Sequence, residues 1–273
     1  MNFKEIELVI EDDQRYKEFC SQMALAHSHL RDSLEATASQ KISEVFEECL
    51  RQYFKSKFSI TECRILRYLS MQSAGGYSEQ FREIDVVFGD ALNPLCFVEI
   101  KASSNITTMI KKAHKQSFIT YKILRSKWLN IQPVVLIVAL GNQPKSEDYE
   151  LSRLEVLDQI PTRTPQLFKA SVDIPFVAVI ASELWDWSKE NSSIELSQEL
   201  YREAEGEANK LINLRLKRRA LINEGIPEDE WPKELTEHNK SEVPDLHTHT
   251  SSDDQGKSEM QLKLEKALKQ KGR

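Results

Sequence analysis

Arg82-Glu83-Ile84-Asp85-Val86-Val87-Phe88 and, a short interval later, Phe97-Val98-Glu99-Ile100-Lys101-Ala102-Ser103 decide how this chain folds. Both runs are rich in β-branched and aromatic residues, and each carries polar groups where a plain core strand would have none. Strand side chains alternate faces, so Glu99 and Lys101 point one way while Val98 and Ile100 point the other. Gly89-Asp90-Ala91-Leu92-Asn93-Pro94 supplies the turn between the runs, with Asp90 expected to make an Asx-type contact. Paired as a hairpin, the runs set Asp85 beside Glu99 on one face. Two carboxylates and a lysine at a sheet edge suit a divalent cation with a cationic neighbour, a combination able to support phosphodiester hydrolysis.

Working outward, Phe3 to Ile10 reads as a short extended lead-in, and a helical pattern starts near Asp13. It breaks around Ser33 to Ser39 and resumes from Gln40 to Lys55, where Ile42, Val45, Phe46, Cys49, Leu50, Tyr53 and Phe54 form one apolar face. Thr61 to Ser70 is expected to be a strand. Ser73 to Ser78, containing Gly75-Gly76, reads as a loop close to the candidate site. After the motif, Ser104 or Asn105 is positioned to cap a helix from about Thr107 to Leu124. The unbroken runs Val134 to Leu140 and Phe176 to Ala181 fit strands buried on both faces, with a short helix expected near Asp148 to Leu157. A long helix of mixed charge spans Leu196 to Leu221; for the basic cluster Arg215-Leu216-Lys217-Arg218-Arg219 near its end the macrodipole is the ordinary explanation and phosphate contact the alternative.

With its flanking elements, the motif resembles the PD-(D/E)XK nuclease superfamily: Asp85, a gap of thirteen residues, then Glu99-Ile100-Lys101, over roughly residues 40 to 140. Ile84 stands where the superfamily name implies proline. The resemblance implies an α/β fold of restriction-endonuclease type, a mixed central sheet flanked by helices, and a metal-dependent DNA endonuclease. Mg²⁺ or Mn²⁺ would be held by Asp85, Glu99 and the backbone carbonyl of Ile100. Lys101 would position water or stabilise charge on the phosphate; the neighbouring carboxylates oppose a lowered lysine pKa, which favours the electrostatic role. Such nucleases often add a carboxylate from the helix before the sheet. On the helical wheel Glu44 and Glu48 lie away from the apolar face and Glu47 at its margin, so Glu47 is the first choice and Glu44 the second. Gln116 and Tyr121 resemble a Gln-x-x-x-Tyr element of one branch, but are five residues apart, not four.

The chain carries 43 acidic and 37 basic residues, a net charge of −6. That is unusual for a nucleic-acid binder, yet from Ala102 to Lys145 there is no Asp or Glu. Lys111, Lys112, Lys115, Gln116 and Lys122 are therefore the candidate nucleic-acid contacts, because exposed charges act locally under salt screening. Cys20, Cys49, Cys63 and Cys96 are widely spaced, arguing against a zinc site or disulfide framework and for buried thiols in a reducing cytoplasm. No secretory signal or membrane-spanning run is evident.

These patterns divide the chain into a lead-in (1–39), a nuclease-like core (40–188), a helical extension (189–235) and a polar tail (236–273) expected to be disordered. His247 and His249 read as tail residues, and Ser258 to Lys271 as a short conditional helix. DNA is the expected partner and RNA the second. A homodimer, or a protein partner at the C-terminal extension, is compatible with the chain. A non-catalytic module that binds nucleic acid or protein is the rival reading.

Overall fold

In a computed structural model of the chain, residues 3–31, 37–73, 75–161 and 174–237 are described. They form a mixed α/β structure. The chain divides into two units, Met1–Trp231 and Pro232–Arg273. The second contributes only the short helix Lys233–Glu237 among the described residues. The expected Ser258–Lys271 helix and the two tail histidines lie outside them.

In the first unit, strand β1 (Phe3–Val9) and helices α1 (Gln14–Arg31) and α2 (Ala38–Lys57) come first. Thr37 starts α2 with a capping box: its hydroxyl accepts from the Gln40 N–H, and the Gln40 side chain accepts from the Thr37 N–H. Four strands follow, β2 (Ile65–Met71), β3 (Tyr77–Glu83), β4 (Val86–Gly89) and β5 (Pro94–Ser103). Helix α3 (Ile106–Arg125), capped by Asn105, crosses to β6 (Gln132–Ala139). The short β7 (Leu151–Ser152), β8 (Phe176–Ile180), α4 (Ala181–Asn191) and α5 (Gln198–Asn223) complete the unit.

The strands make two sheets: antiparallel β1-β2-β3, and β4-β5-β6-β8-β7, in which β4 and β5 are antiparallel and the remaining neighbours parallel. One mixed sheet was expected. The division falls at Ile84–Asp85, inside the run read as a single strand: β3 belongs to one sheet and β4 to the other. Loop and strand also trade places nearby, since β3 starts at Tyr77. Its 7 residues separate the Gly75-Gly76 turn from Asp85 by about 23 Å of extended chain, so that turn is not beside the site.

Face alternation on β5 sorts the core. Val98 and Ile100 pack with Phe46, Leu50 and Phe54 of α2, while Phe97 packs with Ile84, Val87 and the α3 residues Ile123 and Leu124. The five-stranded sheet therefore lies between α2 on one face and α3 on the other. Helices α4 and α5 join the α2 side, where Trp185 stacks on Tyr201 at 4.3 Å. This packing removes the expected boundary at residue 188, which falls inside α4, and makes residues 189–231 part of the first unit. The helix expected near Asp148 to Leu157 is instead β7 followed by a 3-10 turn, Leu154–Gln159. Among the cysteines, Cys49 and Cys96 are buried, but Cys63 is half-buried and Cys20 exposed, contrary to the expectation that all four are buried. No helix among the described residues is long and apolar enough to cross a membrane.

The motif hairpin depends on Gly89. Its φ is +95°, and a Cβ there would lie 2.8 Å from the carbonyl oxygen of Asn93. Asp90 Oδ1 accepts from the N–H groups of Leu92 and Asn93, the Asx-type turn expected for it. Gly89→Ala should cost about 1–3 kcal/mol, read as a lower urea midpoint; an unchanged midpoint would show that the turn relaxes freely.

Candidate active site

Register between β4 and β5 pairs Val86 with Val98 and Val87 with Phe97, so Asp85 stands at the level of Glu99 just where β4 begins. Beyond that level β5 continues without β4. The Ile84 N–H turns to the Arg64 carbonyl (2.9 Å), and the edge of β5 is left to a side chain. Asp85 fills that place: its Oδ2 accepts from the Ile100 N–H at 2.6 Å. In a strand the N–H and C=O of one residue leave on the same side, so the Ile100 carbonyl also faces this fork.

On the same face of β5 as Phe97 lie Glu99, buried, and Lys101, half-buried. Lys101 Nζ is 2.8 Å from Glu99 Oε1 and 3.9 Å from Asp85 Oδ2. Glu47, from α2, is half-buried and feels Asp85, Lys101 and Glu99 electrostatically. Asp85, Glu99 and Lys101 are thus brought into contact, with Glu47 near enough to interact with them electrostatically. Glu44 is exposed, and Glu48 pairs with Arg51. Lys111, Lys112, Lys115 and Lys122 lie exposed on α3. Gln116 is half-buried, its carbonyl accepting from the Thr120 hydroxyl, to which Arg82 also donates. Tyr121 is half-buried with Arg125 over its ring, a packing position.

Arg51 was not singled out from the sequence, yet its Nε donates to the Asp85 carbonyl at 3.3 Å. The signal was available: Arg51 follows Glu47 by four residues and shares its flank of α2.

Charge is unbalanced at this fork. Burial pushes the Glu47 carboxyl up to about 8, with Asp85 and Glu99 adding to the rise and Lys101 opposing it. Burial likewise raises Asp85 to about 6, Glu99 adding to the rise, while Lys101, the Ile100 N–H and Arg51 pull it down. For Lys101, burial alone would favour the neutral amine, but Asp85, Glu99 and Glu47 outweigh it and hold the ammonium firmly charged. One ammonium does not satisfy three carboxyls. Among the described residues no group of three or more His, Cys, Asp or Glu side chains is arranged to hold a metal ion. The hard oxygen donors of Asp85, Glu99 and Glu47 nevertheless fit a divalent cation in chemical type. No protein-family model matches the chain, and no curated protein matches it.

The raised Glu47 pKa has a consequence for stability. Between its ordinary value of 4.5 and about 8, the unfolded chain has released this proton and the folded chain still holds it, so stability falls as pH rises through that window. Glu47→Gln should therefore be more stable than the parent by about 1–3 kcal/mol at alkaline pH in EDTA, and equal to it at pH values below the window. Urea titrations across the range check this; a pH-independent difference would refute it.

Proposed function

We propose that the chain is a metal-dependent DNA endonuclease acting through Asp85, Glu99, Lys101 and Glu47. The observation that carries this reading is Lys101 Nζ standing 2.8 Å from Glu99 and 3.9 Å from Asp85 at the opening between β4 and β5, with Glu47 near enough to interact electrostatically with all three. Asp85, Glu99, Glu47 and the Ile100 carbonyl are the oxygen donors for Mg²⁺ or Mn²⁺. When bound, such an ion polarises a phosphoryl oxygen and makes hydroxide accessible near neutral pH.

The chain's own residues do the rest. Asp85 is held in place by the Ile100 N–H, so its free oxygen is preoriented without further loss of side-chain freedom. Lys101 cannot act as a base while its ammonium is held charged; its role is to offset negative charge as it accumulates on the phosphate. Glu47, raised to about 8, keeps its proton at neutral pH until a cation draws it off, and cation binding at this site should accordingly release a proton. The exposed lysines of α3 supply phosphate contacts.

A non-catalytic nucleic-acid-binding module is the second reading. The close Lys101–Glu99 pair favours it, because a satisfied internal ion pair needs no ligand. The two readings part in one assay: cleavage of supercoiled, linear, branched and single-stranded DNA with Mg²⁺, Mn²⁺ or EDTA. Cutting should require metal, be abolished in Glu99→Gln, and fall by about 10²–10³-fold in Lys101→Ala, with circular dichroism unchanged. Full cutting by Glu99→Gln removes the nuclease reading; salt-sensitive binding indifferent to metal and to Asp85→Asn establishes the binding module.

A further inference from the structure

The outer face of α3 carries Lys111, Lys115, Phe118, Lys122 and Arg125 at successive steps of four, three, four and three residues, all of them exposed. Such spacing makes one straight stripe along a helix, about 21 Å from first to last at 1.5 Å per residue. An ordinary solvated face would alternate lysine with glutamate, but here no acid occurs from Ala102 to Lys145. At the middle of the stripe stands a phenylalanine with 40% of its surface exposed. Lys122 Nζ lies 4.3 Å from the centre of that ring, over one face.

An isolated exposed apolar side chain needs no explanation. Phe118 differs in its setting. A surface that holds duplex DNA through its phosphates needs cations and polar donors, and a ring among them adds nothing to backbone contact. An unpaired base, by contrast, offers a π-face, and a groove of cations interrupted by an aromatic ring is the arrangement that grips single strands. Lys122 covers one face of the ring, so a base stacking on Phe118 would approach the other face with the ammonium still near a phosphate. The helix itself packs, through Ile123 and Leu124, on the same sheet face that carries Phe97, Glu99 and Lys101, with the stripe on its outer side.

We propose that this stripe binds single-stranded DNA, with Phe118 stacking on an unpaired base, so that unpaired rather than duplex DNA is held on the side of the sheet that carries the acidic fork. This deepens the nuclease reading and rests on it for the identity of the ligand.

Binding is measured in EDTA, where no cleavage intervenes, by fluorescence anisotropy with the full chain. The probes are a labelled oligothymidylate, a blunt duplex of equal length and an oligouridylate. The single strand of DNA should bind more tightly than either of the others. Phe118→Ala should weaken oligothymidylate binding by about 5- to 100-fold while changing duplex binding little, and Phe118→Trp should restore it, with indole fluorescence quenched on binding. Lys111→Glu should weaken both DNA forms and lower the salt dependence. Equal losses for duplex and single strand in Phe118→Ala, no loss at all, or preference for oligouridylate would overturn the proposal. Stacking without any metal-dependent cutting would leave this inference standing and remove only the nuclease; cutting without strand preference would do the reverse.

Discussion

A single hydrogen bond, from the Ile100 N–H to Asp85 Oδ2 at 2.6 Å, closes the place where two sheets part. Strand β5 is ten residues long and β4 only four, so the inner end of β5 loses its antiparallel partner and would leave a buried N–H without an acceptor. An unsatisfied buried donor costs about 1–3 kcal/mol. Asp85 removes that cost by standing in for backbone, and in doing so a carboxylate is drawn into a place that desolvates it. The neighbouring backbone is pinned on both sides, by the Arg64 carbonyl accepting from the Ile84 N–H and by Arg51 donating to the Asp85 carbonyl. The fork and the acid at its mouth are thus one structural solution.

From that placement the electrostatics follow. With Asp85 fixed, Glu99 falls beside it by register and Lys101 by the two-residue period of the strand. Glu47 enters from α2, whose apolar face is committed to Val98, Ile100 and Phe88 on the opposite side of the sheet; only the margin of the helix reaches round to the fork. Of these acids Glu47, raised to about 8, is the one that stays protonated at neutral pH. Burial is the main cause of the raised values of Glu47 and Asp85, with repulsion from neighbouring carboxylates adding to it; a bound cation would offset both.

Alternation on Phe97–Ser103 was legible because period 2 is a local property, and so was the margin position of Glu47, which follows from helical geometry alone. The split at Ile84–Asp85 was not. Glu83–Val86 alternates polar and apolar residues across the break as a continuous strand would, and the departure is fixed by partners distant in sequence: Arg64 for Ile84, Ile100 for Asp85. The polar composition of Tyr77–Glu83 concealed β3 for a related reason. Of its residues only Phe81 is buried, where it meets Tyr16 and Phe19 of α1, so its hydrophobic signal is a single residue. Arg51 was overlooked although its spacing from Glu47 was visible, because a basic residue on a helix flank is ordinarily a solvated one.

On the proposed reading, the two charge features of the chain depend on each other. A polyanion drawn to α3 meets, at the fork, carboxyls that repel it, and attraction by the stripe is screened beyond about 10 Å at 0.1 M salt. Lysines along α3 therefore hold the strand but cannot neutralise the site for it. Lys101 offsets one carboxylate and is already paired with Glu99 at 2.8 Å. Whatever phosphate approaches the fork must bring positive charge with it or find it there, which is why substrate and divalent cation should bind with positive cooperativity at this site. Chemistry confined to the fork and affinity confined to α3 is the division of labour that an acidic chain with one acid-free segment can support.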